Sequence, residues 1–119
     1  MTGIHHVALP IRRDGVEAEV AFWALLGFSV VEPPASLRER ATWLQAPDGA
    51  QIHLLYADEV QSAGHIAIIA PAFDATLTAL SAAGHPTQPR TPHWGAPRAY
   101  VHSPSGRLIE LMAFPPPVD

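Results

Sequence analysis

A chain of 119 residues, 48% of them apolar, is one domain's worth of material with enough apolar mass for its own core. Charged residues make up 15% and the net charge is −4, which leaves no basic surface for nucleic acid; the seven basic residues are all Arg, so a lysine Schiff base is excluded. Cysteine is absent, which removes disulfides, thiolate nucleophiles and Cys-ligated zinc, and the lack of a leader or a bilayer-length apolar run predicts a cytoplasmic protein without membrane contact.

Residues 4–11 are apolar and β-branched enough for a strand. Asp14 stands where a helix cap is expected, and Ala18, Ala21, Phe22 and Leu25 follow at helical spacing, with Glu17 and Glu19 outside that face. Gly27 ends this helix as the residue for which a positive φ is cheap. Residues 28–31, 41–44 and 51–56 read as three more strands, the last two joined by the turn Pro47-Asp48-Gly49. After a polar connector at 58–63 the same order returns. A strand is expected at 65–69, then a helix with Phe73, Leu77 and Leu80 on one face and Gly84 as its stop. Strands follow near 86–88, 98–102 and 108–113, and a Pro-rich tail occupies 115–119.

The chain is therefore written twice. Pro47, Gly49, His53 and Gly27 correspond to Pro104, Gly106, Glu110 and Gly84 at one constant offset, 57 residues (47 to 104). His6-Val7-Ala8-Leu9 corresponds to His65-Ile66-Ala67-Ile68 at 59 residues (6 to 65), a difference assigned to a shorter second helix. Each half is β-α-β-β-β: module 1 at about 3–57, module 2 at about 64–114. The expected class is α+β, the two modules pairing into one domain with a curved, barrel-like mixed sheet and helices outside. Pairing about an approximate twofold would bring together His6 with His65 and His53 with Glu110. Three imidazoles and a carboxylate are a metal-ligand set.

Ile4-His5-His6-Val7-Ala8-Leu9, then Ala21-Phe22-Trp23 with Leu25-Leu26-Gly27-Phe28, and the closing Pro104-Ser105-Gly106-Arg107-Leu108-Ile109-Glu110-Leu111 resemble the vicinal-oxygen-chelate superfamily. That group includes glyoxalase I, methylmalonyl-CoA epimerase, extradiol dioxygenases, fosfomycin-resistance enzymes and bleomycin-binding proteins. The resemblance spans nearly the whole chain and implies paired modules with one metal, its ligands on the first and last strand of each. For this chain those are His6, His53, His65 and Glu110, holding Zn, Ni, Mn, Co or Fe. The resemblance further implies a lyase or isomerase of glyoxalase type. Its ion chelates adjacent oxygens of a small polar substrate and stabilises an enolate, and Glu110 is both ligand and proton carrier. Bacterial glyoxalase I has Glu on both last strands, where this chain has His53 on one. The alternatives are an Fe(II) extradiol-type dioxygenase, using a two-His-one-carboxylate subset, and a metal-free binding protein of the bleomycin type. Family members commonly dimerise, so a homodimer is expected.

Arg98, Tyr100 and His102 share one face of a strand and are either binders of a substrate anion or a solvated face. Trp94, beside His93 in a Pro-rich loop at 91–97, is a further candidate substrate contact or a cover over the core. His5 is expected to point away from His6 by strand alternation, and Trp23 and Trp43 to lie in the core.

Overall fold

The computed structural model describes residues 4–60 and 64–116; the end of the predicted connector and the last three tail positions lie outside them. The chain divides into two compact units, Met1–Gln61 and Ser62–Asp119. Each is a four-stranded mixed sheet with one helix, an α+β architecture. In the first, β1 (His6–Ile11) leads through a 3-10 turn at Arg13–Gly15 to α1 (Val16–Leu25), then β2 (Ser29–Val31), β3 (Ala41–Gln45) and β4 (Gln51–Tyr56). In the second, β5 (His65–Ile69) leads to α2 (Phe73–Ala82), β6 (Gln88–His93), β7 (Ala96–His102) and β8 (Leu108–Met112). No helix among the described residues is long and apolar enough to cross a membrane.

The sheet orders are β1-β4-β3-β2 and β5-β8-β7-β6, each open rather than closed into a barrel. In both, the first strand runs parallel to the last and the other neighbours are antiparallel. The registers coincide as well as the orders. Ala8 pairs with His53 as Ala67 pairs with Glu110, and Trp43 pairs with His53 as Tyr100 pairs with Glu110. The repeat read from glycine spacing is thus a repeat of hydrogen-bonded geometry. The two helices, however, are of equal length at ten residues. The two-residue discrepancy lies ahead of them: β1 has six residues against five in β5, and the first strand-to-helix connection is one residue longer.

Both helices end in the same hydrogen-bonded motif. Phe28 N–H donates to Trp23 O at 3.0 Å and Gly27 N–H to Ala24 O at 3.1 Å. In the second unit His85 N–H donates to Leu80 O at 2.9 Å and Gly84 N–H to Ser81 O at 3.0 Å. These crossed bonds satisfy two of the carbonyls that a helix end leaves orphaned, and they require the left-handed conformation that Gly27 (φ +90°) and Gly84 (φ +88°) adopt.

The core of each unit is the sheet face carrying alternate apolar residues. Leu9, Ile11, Leu44, Ile52 and Leu54 are buried in the first, Ala99, Val101, Ile109 and Leu111 in the second. The buried face of α1 is Glu19, Phe22 and Trp23; Ala18 and Ala21 are exposed, contrary to the expectation from the sequence. Glu19, only 1% exposed, accepts a hydrogen bond from Trp23 Nε1–H at 3.0 Å, one turn along the helix. That bond contributes to offsetting the burial of a carboxylate. Trp23 is core as expected. Asp14 does not cap α1: it sits within the 3-10 turn and pairs with Arg12 at 3.5 Å, and Gly15 is the residue preceding the helix. On α2, Leu80 is fully buried and Phe73 and Leu77 half-buried, as predicted.

The largest departure is at 91–97, predicted as a loop. Here β6 continues to His93, and a two-residue turn, Trp94 (φ +40°) and Gly95 (φ +77°), returns directly into β7. Two successive positive φ angles match the twist of a tight hairpin. Pro92 and Pro97 suggested a loop, but Pro92 lies on β6, a fully exposed edge strand, where proline is admissible.

Candidate functional site

On the sheet face opposite the apolar one, each unit brings together the residues singled out from the repeat. In the first unit β1 and β4 lie side by side, and the His6 and His53 rings stack at 3.9 Å with 15° between planes. Trp43, across from His53 on β3, stacks at 3.9 Å and 2°. Two rings stacked at that spacing must cover opposite faces of His53, which is therefore clamped in plane. Trp43 is thus a wall of the site and not the core residue anticipated.

His53 is also held by its edge. Its Nε2–H donates to Gln51 Oε1 at 2.8 Å, and Gln51 Nε2–H donates to Gln45 Oε1 at 2.8 Å. With the amide so oriented, Nε2 carries the proton and Nδ1 keeps its lone pair. Burial, then the proximity of His6 and of His5, hold the His53 pKa below its ordinary value, so the ring is in the neutral form that binds metals. Neither glutamine was identified in the sequence; the available signal was the place of Gln51 two residues from His53 on the same strand, with Gln45 opposite it on β3.

His5 does not point away from His6. It lies just ahead of β1, where alternation has not begun, and its Nδ1 is 2.9 Å from His6 Nδ1. A nitrogen of each of His5, His6 and His53 lies within 4.8 Å of the others.

In the second unit the equivalent pair also meets. His65 Nε2 is 3.1 Å from Glu110 Oε1, and Arg98 Nη1–H donates to Glu110 Oε2 at 3.1 Å. Glu110 is 7% exposed, so the guanidinium is the counter-ion of a buried carboxylate. Arg98 also donates Nε–H to Thr91 O at 3.0 Å, and hydrogen bonding with Tyr100 is the first cause, ahead of Glu110, that raises its pKa. The Tyr100 ring has the Arg90 guanidinium at 4.8 Å and that of Arg98 at 5.5 Å. Arg90 was not anticipated. Arg98 and Tyr100 therefore belong to the face of His65 and Glu110. His102, farther along that face, borders a cleft of about 280 Å³ with His85, Gln88 and Tyr100. Trp94 stands apart at the hairpin tip, 43% exposed, donating Nε1–H to Phe114 O at 2.9 Å.

No family model matches the sequence, and no curated protein matches it. Solved structures do. A glyoxalase family protein from Bacillus anthracis superposes with a TM-score of 0.82 at 23% identity, over 94% of both chains. The fosfomycin resistance protein FosX of Listeria monocytogenes gives 0.76 at 20% identity, over 97% of this chain and 93% of that one. A bleomycin resistance determinant encoded on transposon Tn5 gives 0.70 at 19% identity, over 93% and 97%. All three are vicinal-oxygen-chelate proteins, and the present chain has their fold.

Proposed function

Starting from a vicinal-oxygen-chelate fold, we propose that this protein is a metal-dependent enzyme, glyoxalase-like in the broad sense, acting on a small polar substrate. His6, His53, His65 and Glu110 are its metal ligands. The observation that carries this reading is the matched placement of two pairs. His6 lies against His53 and His65 against Glu110, at equivalent positions of two sheets whose registers coincide. The donors suit a borderline divalent ion of the Zn, Ni, Co, Mn or Fe series: neutral imidazoles, one pre-oriented by Gln51, and a carboxylate. When bound, the ion supplies Lewis-acid polarisation of adjacent substrate oxygens and a positive charge for the negative charge that develops there.

The chain's own groups supply the proton chemistry and the orientation. Glu110 is the carboxylate able to take a proton from carbon next to a carbonyl and return it. Arg98 holds Oε2, so Oε1, which faces His65 at 3.1 Å, is the oxygen that would exchange its partner for that work. Arg90 over the Tyr100 ring adds a positive charge beyond the Arg98–Glu110 pair and suits this face to an anionic substrate, with His102 and Trp94 as outer contacts. The active form is proposed as a homodimer in the cytoplasm.

The test is metal content and proton exchange on untagged protein purified without chelator. Loaded with each candidate ion in turn, the protein should exchange the α-proton of α-hydroxycarbonyl compounds with D2O, followed by NMR. E110Q should bind the ion more weakly and lose exchange by about 100-fold or more. Full metal and full exchange in E110Q would remove Glu110 from the mechanism. Bound iron with oxygen consumption on catechols would move the protein to the dioxygenases. A second reading has an observation of its own. The Arg98–Glu110 pair satisfies the carboxylate without any ion, as a metal-free small-molecule binder requires. Protein that takes up none of the five ions belongs there.

A further inference from the structure

The residue clusters of the two units differ in what they leave unsatisfied. In the second unit both Glu110 oxygens are engaged, one by His65 and one by Arg98. In the first, three imidazoles crowd together, and among the described residues no carboxylate belongs to their cluster. We infer that His5, His6 and His53 form a three-imidazole site that holds a borderline divalent ion, zinc being the reference case, without any residue of the second unit. The inference rests on the reading above only in sharing His6 and His53 with it; His5 is the ligand it adds.

The geometry needs modest adjustment. Ligand nitrogens on a tetrahedral zinc, with Zn–N near 2.0 Å, are about 3.3 Å apart. The three nitrogens here already lie within 4.8 Å of one another, and the two that must move belong to exposed rings. His53 is the fixed member, clamped by Trp43 and oriented by Gln51. Stacked rings direct their lone pairs side by side, so binding opens the His6–His53 stack and turns His6 toward His5, with which it is already in contact at 2.9 Å. An all-imidazole set selects zinc, copper, nickel or cobalt over magnesium and calcium, which prefer oxygen donors. Water completes the coordination sphere.

The experiment is zinc titration by calorimetry on the untagged full-length chain, comparing wild type with H65A/E110Q and with that variant carrying H5A. H65A/E110Q should still bind one zinc per chain, at an affinity about 10- to 100-fold below wild type. Adding H5A should lower the affinity by a further factor of about 10 or more. The inference is overturned if H65A/E110Q binds no zinc, or if adding H5A changes nothing. The four-ligand reading fails by a different result: H65A/E110Q binding zinc as tightly as wild type, whatever H5A does. Should E110Q prevent folding, H65A alone, at a side chain 45% exposed, carries the same comparison with H5A.

Discussion

Replacing Gly84 by Ala, and separately Gly27 by Ala, should cost the same free energy, and the structure sets the amount. The φ angles are +88° and +90°, and each glycine closes its helix with the same two crossed hydrogen bonds. A Cβ built at either position meets no heavy atom within 4 Å, so there is no clash to add. What remains is the cost of an L-residue in the left-handed region, ~1–2 kcal/mol. Alanine also restricts the unfolded chain, which offsets ~0.4–1 kcal/mol. The net loss is about 1 kcal/mol at each site, a factor of about 5 in the folded-to-unfolded ratio. Urea unfolding followed by tryptophan fluorescence reads this as a shift of the midpoint at unchanged slope. Asparagine at the same positions should lose less than alanine, because its side chain tolerates the left-handed region. Losses at Gly27 and Gly84 that differ by more than about 1 kcal/mol, or an alanine variant as stable as wild type, would refute the equivalence of the two helix ends.

The remaining predictions concern the site. His53 has a folded pKa below its ordinary 6.5, so the unfolded chain binds its proton more readily than the native protein does. Its contribution to stability is therefore complete above pH 6.5 and is lost as pH falls through the depressed folded value; H53F should flatten that part of the profile in chemical denaturation. Q51L removes the hydrogen bond that orients His53 and should weaken zinc binding by about 10- to 100-fold, read by competition with a chromophoric chelator. In the metal-free wild type, nitrogen-15 NMR should find His53 protonated on Nε2; the Nδ1–H tautomer would reverse the assigned direction of the Gln51 bond.

The elements visible in the sequence were those fixed by local rules. Positions 51–56 and 65–69 are strands to the residue, and Gly27 and Gly84 stop their helices, because alternation and a required positive φ leave marks within a few residues. The repeat singled out His6, His53, His65 and Glu110 but paired them between modules; that His6 meets His53 and His65 meets Glu110 within each unit depends on the first strand lying beside the last, which glycine spacing does not reveal. What escaped depended on partners distant in space or on exceptions to a residue's usual preference. Glu19 reads as surface by its charge, yet it is buried and accepts a hydrogen bond from Trp23 one turn along the helix. Proline at 92 reads as loop and is strand because β6 is an edge. Arg98 was placed on the correct strand, but its ion pair with Glu110 requires knowing that β7 lies beside β8. His5 was misjudged because alternation was extended one residue beyond the strand that enforces it.

The proline-bearing β6 has a bearing on the protein's colloidal behaviour. An exposed edge strand is a template on which another chain's strand can add, the first step toward fibrils. Pro89 and Pro92 withdraw two backbone donors from a six-residue strand, and on an edge strand the missing N–H side faces solvent. Arg90 between them adds charge. The corresponding edge of the first unit is managed differently: β2 is only three residues long, too short to seed an extended pairing. One half of the repeat thus guards this border by chemistry and the other by brevity.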